Sequence, residues 1–172
     1  VIIDGRPLGG RDVVTVARGR PPVHLDPAGR SRAHAASELA ARIAADRPIY
    51  GRSTGVGANR VEAVTDDAAG HGLRLLRSHA SGAGELEPPD PARAMMTVRP
   101  NQLAGSAPVV TLSSPDALAM SSSNAATIGE AVLAQADLDA LLRASEVVAA
   151  LSFVALGGAA EAYGSPPQNA RA

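Results

Sequence analysis

The stretch SPDALAMSSSNAATIGEAVLAQADLDALLRASEVVAALSFVALGG, residues 114–158, decides the fold class. It opens with a helix-start pattern. Ser114 is a capping residue, Pro115 suits the first turn, and Asp116 faces the positive end of the helix dipole. Apolar and small residues then continue through Ile128 and Val132. A further long helix is expected from about Asp137 to Leu156. Leu138, Leu141, Leu142, Ser145, Val148, Leu151 and Ala155 recur at helical spacing, and Gly157-Gly158 is a natural stop. A row of this kind exists to pack, within the chain or between subunits.

Upstream, helical periodicity begins near Ser31, with Ala35, Leu39 and Ile43 on one stripe. Asp46-Arg47-Pro48 closes that helix, because the residue before a proline avoids the helical region. A second helix is expected over residues 62–79 and a short one over Ala92–Val98, with 99–113 as an irregular connection. Gly70 and Gly72 weaken the second helix by about 1 kcal/mol each relative to alanine. Residues 1–30 read as an irregular leader. In it, Val1–Ile3, Val13–Val16 and Val23–Leu25 are short extended pieces, and Gly9-Gly10 is a turn. The expected architecture is mainly α, a single helical domain over 1–172. It comprises an irregular N-terminal cap (1–30), a loop-rich site region (48–113), bundle helices (114–158) and an exposed tail (159–172).

Composition narrows the function classes. Hydrophobic residues make up 45% of the 172, yet aromatic ones only 2%, so Leu, Val, Ile and Ala fill the core and favour close helix packing. The formal charge of -1 and the scattered basic residues give no reason to expect nucleic acid or a membrane surface as partner. Cysteine is absent, which removes disulfides, thiolate nucleophiles and cysteine-ligated metals. His24, His34 and His71 lack convergent metal-ligand spacing, so no metal is expected. The opening Val1–Gly5 has neither the basic stretch nor the apolar run of a signal peptide, which makes a cytoplasmic protein the expectation.

Side chains suited to chemistry gather in the irregular segments. Tyr50 and Thr54 lie in the glycine-rich run YGRSTGVGANR (50–60), followed by Ser78-His79 and then by Arg99 and Asn101. Tyrosine serves as acid or base, histidine relays protons, and arginine grips a carboxylate bidentately. The glycine-rich run lacks the lysine and the preceding strand of a phosphate loop.

Taken in order, these segments resemble one family. YGRSTGVG (50–57) resembles the tyrosine loop of histidine, phenylalanine and tyrosine ammonia-lyases and the related aminomutases. LRLLRSHASGAGE (73–85) resembles their next helix and histidine turn. Arg99-Pro100-Asn101-Gln102-Leu103 resembles the RxNxL element, and residues 116–163 resemble the central bundle helix and its successor. The resemblance implies a helical homotetramer that eliminates ammonia from an aromatic amino acid to give an arylacrylate. Its electrophile would be methylidene-imidazolone, made autocatalytically from an internal Ala-Ser-Gly. It implies that Tyr50 is the base for the β proton and that His79 contacts the ring end of the substrate. Gly57 matches a backbone position in the tyrosine loop. Arg99 and Asn101 are the candidate substrate-binding pair, although hydrogen bonds that tie down an irregular segment explain them equally well.

Departures from the family pattern accompany the likeness. Only ten residues separate Leu103 from Ser114, where the family carries the long stretch with its Ala-Ser-Gly. The tripeptide Ala80-Ser81-Gly82 follows the histidine turn without the Asp-Leu of the family precursor, so no cofactor is expected from this chain as written. The family's cofactor-supporting asparagine falls on Ser122. Asn124, two positions on, would sit about 200° around a helix. Both are kept as cofactor-side candidates. Three functions stay open: an ammonia-lyase or aminomutase, a lyase-derived protein performing cofactor-free proton transfer or cyclisation, and a non-catalytic oligomeric scaffold.

Overall fold

Asp26-Pro27 starts the first long helix. The Asp26 side chain accepts from the Gly29 amide at 3.1 Å while Pro27 occupies the first helical position. This helix, α2, runs over Pro27–Asp46 and ends where expected, at an extended Arg47 before Pro48. The computed structural model describes residues 1–64, 68–106 and 114–164; the expected connection over 107–113 and the tail from 165 lie outside the described residues. The chain is mainly helical, with α1 (Gly10–Val14), α2, α3 (Ala68–His79), α4 (Pro89–Ser106), α5 (Ser114–Ser121) and α6 (Ala125–Ala155). The chain forms two compact units, Val1–Leu133 and Ala134–Ala172.

The leader is more ordered than its sequence suggests. Strands β1 (Ile2–Ile3) and β2 (His24–Leu25) pair in parallel, with Ile2 opposite His24. Val13–Val16, expected as a strand, is helical: α1 passes directly into a π-helical turn, Thr15–Gly19, that ends at a left-handed Arg20. Tertiary burial overrides β propensity here, since Val13, Val16 and Ala17 all enter the core.

Helix α4 is the larger correction. It was expected to stop at Val98, yet it continues through Pro100 to Ser106. Proline removes the amide that would bond the Met96 carbonyl. Burial of Val98 before the weak point and of Leu103 and Ala104 beyond it offsets that loss. Asn101, also buried, accepts from the Gly5 amide at 3.0 Å and donates to the Arg6 carbonyl at 2.8 Å. Two further boundaries shift. Helix α3 begins at Ala68 rather than 62, because Ala63 is bridged to Thr54. The expected separate helix from Asp137 is the latter part of α6, and a non-helical break at 122–124 divides α5 from α6.

The core of the N-terminal unit joins Val13 and Ala17 to Ala94 and Val98 of α4 and to Ala125 and Leu133 of α6. Ala17, Ala94 and Ala125 have no exposed surface, so small side chains let these backbones approach closely. Gly129 marks the tightest approach of α6 to α4: a Cβ there would lie 2.9 Å from the Met95 nitrogen and 3.1 Å from the Ala94 carbonyl carbon. Arg93 fastens the other side of α4, donating to the Ala17 carbonyl and pairing with Asp90.

In the second unit, α6 closes with the two hydrogen bonds of a Schellman cap. Gly157, at φ +71°, donates to Val154, and Gly158 donates to Phe153. Phe153 meets Tyr163 edge to face at 5.3 Å. Leu138, Leu141, Leu142, Val148 and Leu151 are all exposed. Among the described residues, no helix is long and apolar enough to cross a membrane.

Glycine to alanine in a helix interior ordinarily stabilises by up to about 1 kcal/mol. For Gly129→Ala the opposite sign is expected, a loss of roughly 1–3 kcal/mol from overpacking against α4 backbone. The urea midpoint of the variant measures it.

Candidate functional site

The loop that carries Tyr50 ties itself into a fixed shape. The Ile49 carbonyl accepts from the amides of Arg52, Ser53 and Thr54, and the Ile49 amide donates to Ser53 Oγ at 2.8 Å. The loop's far side is held by Val64 donating to Ser53 and Gly55 donating to Glu62. Thr54 is buried beneath, with its hydroxyl on the Gly55 carbonyl at 3.2 Å. Gly51 is required twice over: its φ is +69°, and a Cβ there would lie 2.3 Å from Leu118 Cδ2. The loop is thereby seated directly on α5.

Helix α3 also packs against α5, which brings its C-terminal residue His79 to the same place. Tyr50, Val56, Gly57, His79, Leu118, Ser121 and Ser122 line one cavity of about 480 Å³. Four of the seven residues singled out from sequence, Tyr50, Gly57, His79 and Ser122, therefore meet. Tyr50 is half exposed, and its phenol oxygen accepts from the Gly57 amide at 3.0 Å. That contact occupies an oxygen lone pair and leaves the hydroxyl proton free. It also gives Gly57 a backbone role, and its φ of +59° aims the amide at the phenol. Sequence reasoning missed Leu118 and Ser121, which reach the cavity only because α5 lies across both the loop and α3.

Arg99 lines a second, smaller cavity of about 110 Å³ with Met95, Met96, Met120, Ser121, Ser123 and Ala126. Ser121 borders both. Burial pushes the Arg99 guanidinium below its usual value, and its Nε is buried without a hydrogen-bond partner. Its Nη1 donates to Gln102 Oε1 at 2.9 Å, and Gln102 Nε2 donates to Asn124 Oδ1 at 3.0 Å. Asn124 is thus held by α4 and lines neither cavity. The 200° separation of Asn124 from Ser122 supposes a continuous helix, and the break at 122–124 removes it. Asn101 stands apart from both cavities, with both ends of its amide bonded to Gly5 and Arg6.

Ala80, Ser81 and Gly82 are exposed in an irregular segment after α3, and nothing lies within 4 Å of a Cβ built on Gly82. No group of three or more His, Asp or Glu side chains that could hold a metal ion occurs among the described residues.

A family model described as aromatic amino acid lyase matches residues 8–110 and 104–172. The chain belongs to the aromatic amino acid lyase family. The match falls into two stretches that share residues 104–110, the region where the sequence shows its short connection. A histidine ammonia-lyase from Myxococcus xanthus is 37% identical over 106 residues, 60% of this chain and 21% of that protein. A tyrosine ammonia-lyase from Cupriavidus metallidurans is 41% identical over 105 residues, 59% of this chain and 20% of that protein. Among solved structures, the tyrosine aminomutase of Streptomyces globisporus superimposes with a TM-score of 0.57 at 33% identity, over 62% of this chain and 20% of that one. The ergothionase of Treponema denticola, solved with desmethyl-ergothioneine sulfonic acid, gives 0.57 at 31% identity, over 61% and 22%. The chain spans about a fifth of the length of these lyase relatives.

Gly51→Ala is expected to destabilise by roughly 2–4 kcal/mol, the sum of positive-φ strain and overpacking. Adding Leu118→Ala relieves the collision but leaves the strain. Denaturation midpoints of the single and double variants separate the two contributions: a double variant no more stable than Gly51→Ala contradicts the close seating of the loop on α5.

Proposed function

We propose that this chain builds the proton-abstracting face of an aromatic amino acid ammonia-lyase site. The family reaction eliminates ammonia from an aromatic L-amino acid to give an arylacrylate. The observation that carries the reading is the shared cavity of Tyr50, Gly57 and His79, with the phenol oxygen held by the Gly57 amide. Family membership supports it.

In this reading Tyr50, in its deprotonated form, removes the proton from Cβ of the substrate. The C–H electron pair becomes the Cα=Cβ bond, and the amino group departs with the C–N pair as ammonia. The Gly57 amide holds the tyrosine oxygen in place, His79 meets the substrate's ring edge, and Leu118 gives the ring an apolar wall. Arg99, across Ser121, is assigned to the carboxylate. When present, the methylidene-imidazolone of the family makes the amino group a better leaving group. No electrophile is assigned to Ala80-Ser81-Gly82, whose three residues are exposed in an irregular segment.

The test is binding. Titration of the labelled chain with 4-hydroxycinnamate, cinnamate and imidazole acrylate is expected to shift the resonances of Tyr50, Gly57 and His79, and Tyr50→Phe to weaken the tightest of the three. Arylacrylates that leave those resonances unmoved overturn the site. Release of arylacrylate from aromatic amino acids by the chain alone requires the electrophile to form within it.

The exposed apolar row Leu138, Leu141, Leu142, Val148 and Leu151 supports a homo-oligomer, with the family's tetramer as the expected form. Light scattering on the purified chain is expected to give a mass well above 17.3 kDa; a stable monomer at micromolar concentration removes this assignment.

A further inference from the structure

The smaller cavity gathers every methionine of the chain around one unmet donor. Met95, Met96 and Met120 line it with Arg99, Ser121, Ser123 and Ala126. Met95 and Met96 precede Arg99 by four and three positions on α4. A helical side chain leans back over the turn before its own Cα, so the arginine stem lies toward both thioethers. Arg99 Nε is closed to solvent and has no hydrogen-bond partner among the described residues. The lining holds no carboxylate, and its hydroxyls are turned to backbone. Ser121 Oγ donates to the Ala117 carbonyl at 2.9 Å, and Ser123 Oγ accepts from the Ala125 amide at 3.3 Å. Thioether sulfur is a weak acceptor, so the guanidinium sits beside groups that cannot satisfy it.

We propose that Met96 is a site of reversible oxidation by peroxide, whose sulfoxide oxygen supplies the missing acceptor for Arg99 Nε. Met96 is 49% exposed, whereas Met95 and Met120 are each partly buried. It therefore meets both the solvent that carries an oxidant and the cavity that holds the donor. The sulfur lone pair attacks one oxygen of hydrogen peroxide. The S–O bond forms as the O–O bond breaks, and the departing oxygen leaves as water. Sulfur is oxidised and peroxide reduced by the same two electrons. An anion from solution must displace packed side chains to reach the closed Nε. The sulfoxide oxygen arrives on a side chain that already lines the cavity, whose volume of about 110 Å³ has room for one more atom. The guanidinium, bonded at Nη1 to Gln102, is then held at Nε by its own helix as well. A sulfoxide reductase reverses the change. The inference goes beyond the lyase reading and does not depend on it.

Oxidation of the full chain with limiting hydrogen peroxide, followed by peptide mass mapping, is expected to add about 16 Da to Met96 before Met95 or Met120. In the proton–nitrogen spectrum the Arg99 Nε–H resonance is expected to move downfield on oxidation and to return after treatment with sulfoxide reductase. Met96→Leu should abolish the peroxide-driven shift. Met96→Gln, which carries an amide oxygen in place of the sulfoxide oxygen, should reproduce it without peroxide. Oxidation of Met96 that leaves the Arg99 resonance in place overturns the proposal, as does oxidation of Met95 or Met120 ahead of it. Loss of spectral dispersion throughout the chain, in place of a shift confined to Arg99 and its neighbours, also overturns it, because the added oxygen has then disrupted packing instead of finding the donor.

Discussion

Helix α4 can run through the middle of the N-terminal unit only because its neighbours approach it with almost nothing in the way. Ala94 and Ala104 have no exposed surface. Gly129 of α6 crosses at a separation that leaves no room for a Cβ, and Gly5 crosses at Gly105, where an added Cβ would lie 2.3 Å from backbone. With three aromatic residues in the chain, the interior has no large side chains to hold helices apart. Close backbone contact is the remaining way to reach interior packing density. Asn101 completes the arrangement by bonding the leader across Gly5 and Arg6, at a point where the helix has just lost a bond to Pro100.

The cavity inherits its geometry from the same economy. Gly51 lets the tyrosine loop touch Leu118, and the packing of α3 on α5 delivers His79 to the other wall. Tyr50 and His79 are 29 positions apart in sequence and belong to elements that meet through a third. Their polar atoms are held by backbone of their own segments, Gly57 for the phenol and Leu75 for the imidazole. Each group is thus oriented locally and placed globally, which is the separation of tasks that a preorganised site requires. Arg99 is different. Its guanidinium is part of a hydrogen-bonded chain through Gln102 to Asn124, which links the cation on α4 to the α5–α6 junction.

Much of this was legible beforehand where the signal is local. The Asp46-Arg47-Pro48 stop, the Gly157-Gly158 cap and the mainly helical class all follow from residues within a few positions of one another. Tyr50, Gly57 and His79 were legible as family motifs, because glycines that permit a positive φ and a histidine at a helix end leave a mark in the chain. The errors have a common cause. Val13–Val16 reads as a strand, and α4 reads as ending before Pro100, since the burial that overrides both comes from residues far away in sequence. For Asn101 the sequence left two roles open, substrate binding or a hydrogen-bonded tie, and its amide is bonded to the leader at Gly5 and Arg6.

The sequence by itself determined the helical class, the caps and stops of α2 and α6, and the identity of the side chains available for chemistry. Those properties depend on backbone dihedrals and on hydrogen bonds within a turn or two. Only the tertiary structure decided which of those side chains meet. It put Leu118 and Ser121 into the cavity, left Asn124 and Asn101 outside it, and set Ser78 and Leu75 against the imidazole. Meeting depends on how closely helices can approach, and that distance is settled by pairs such as Gly129 with Met95 and Gly51 with Leu118, whose partners no local pattern names.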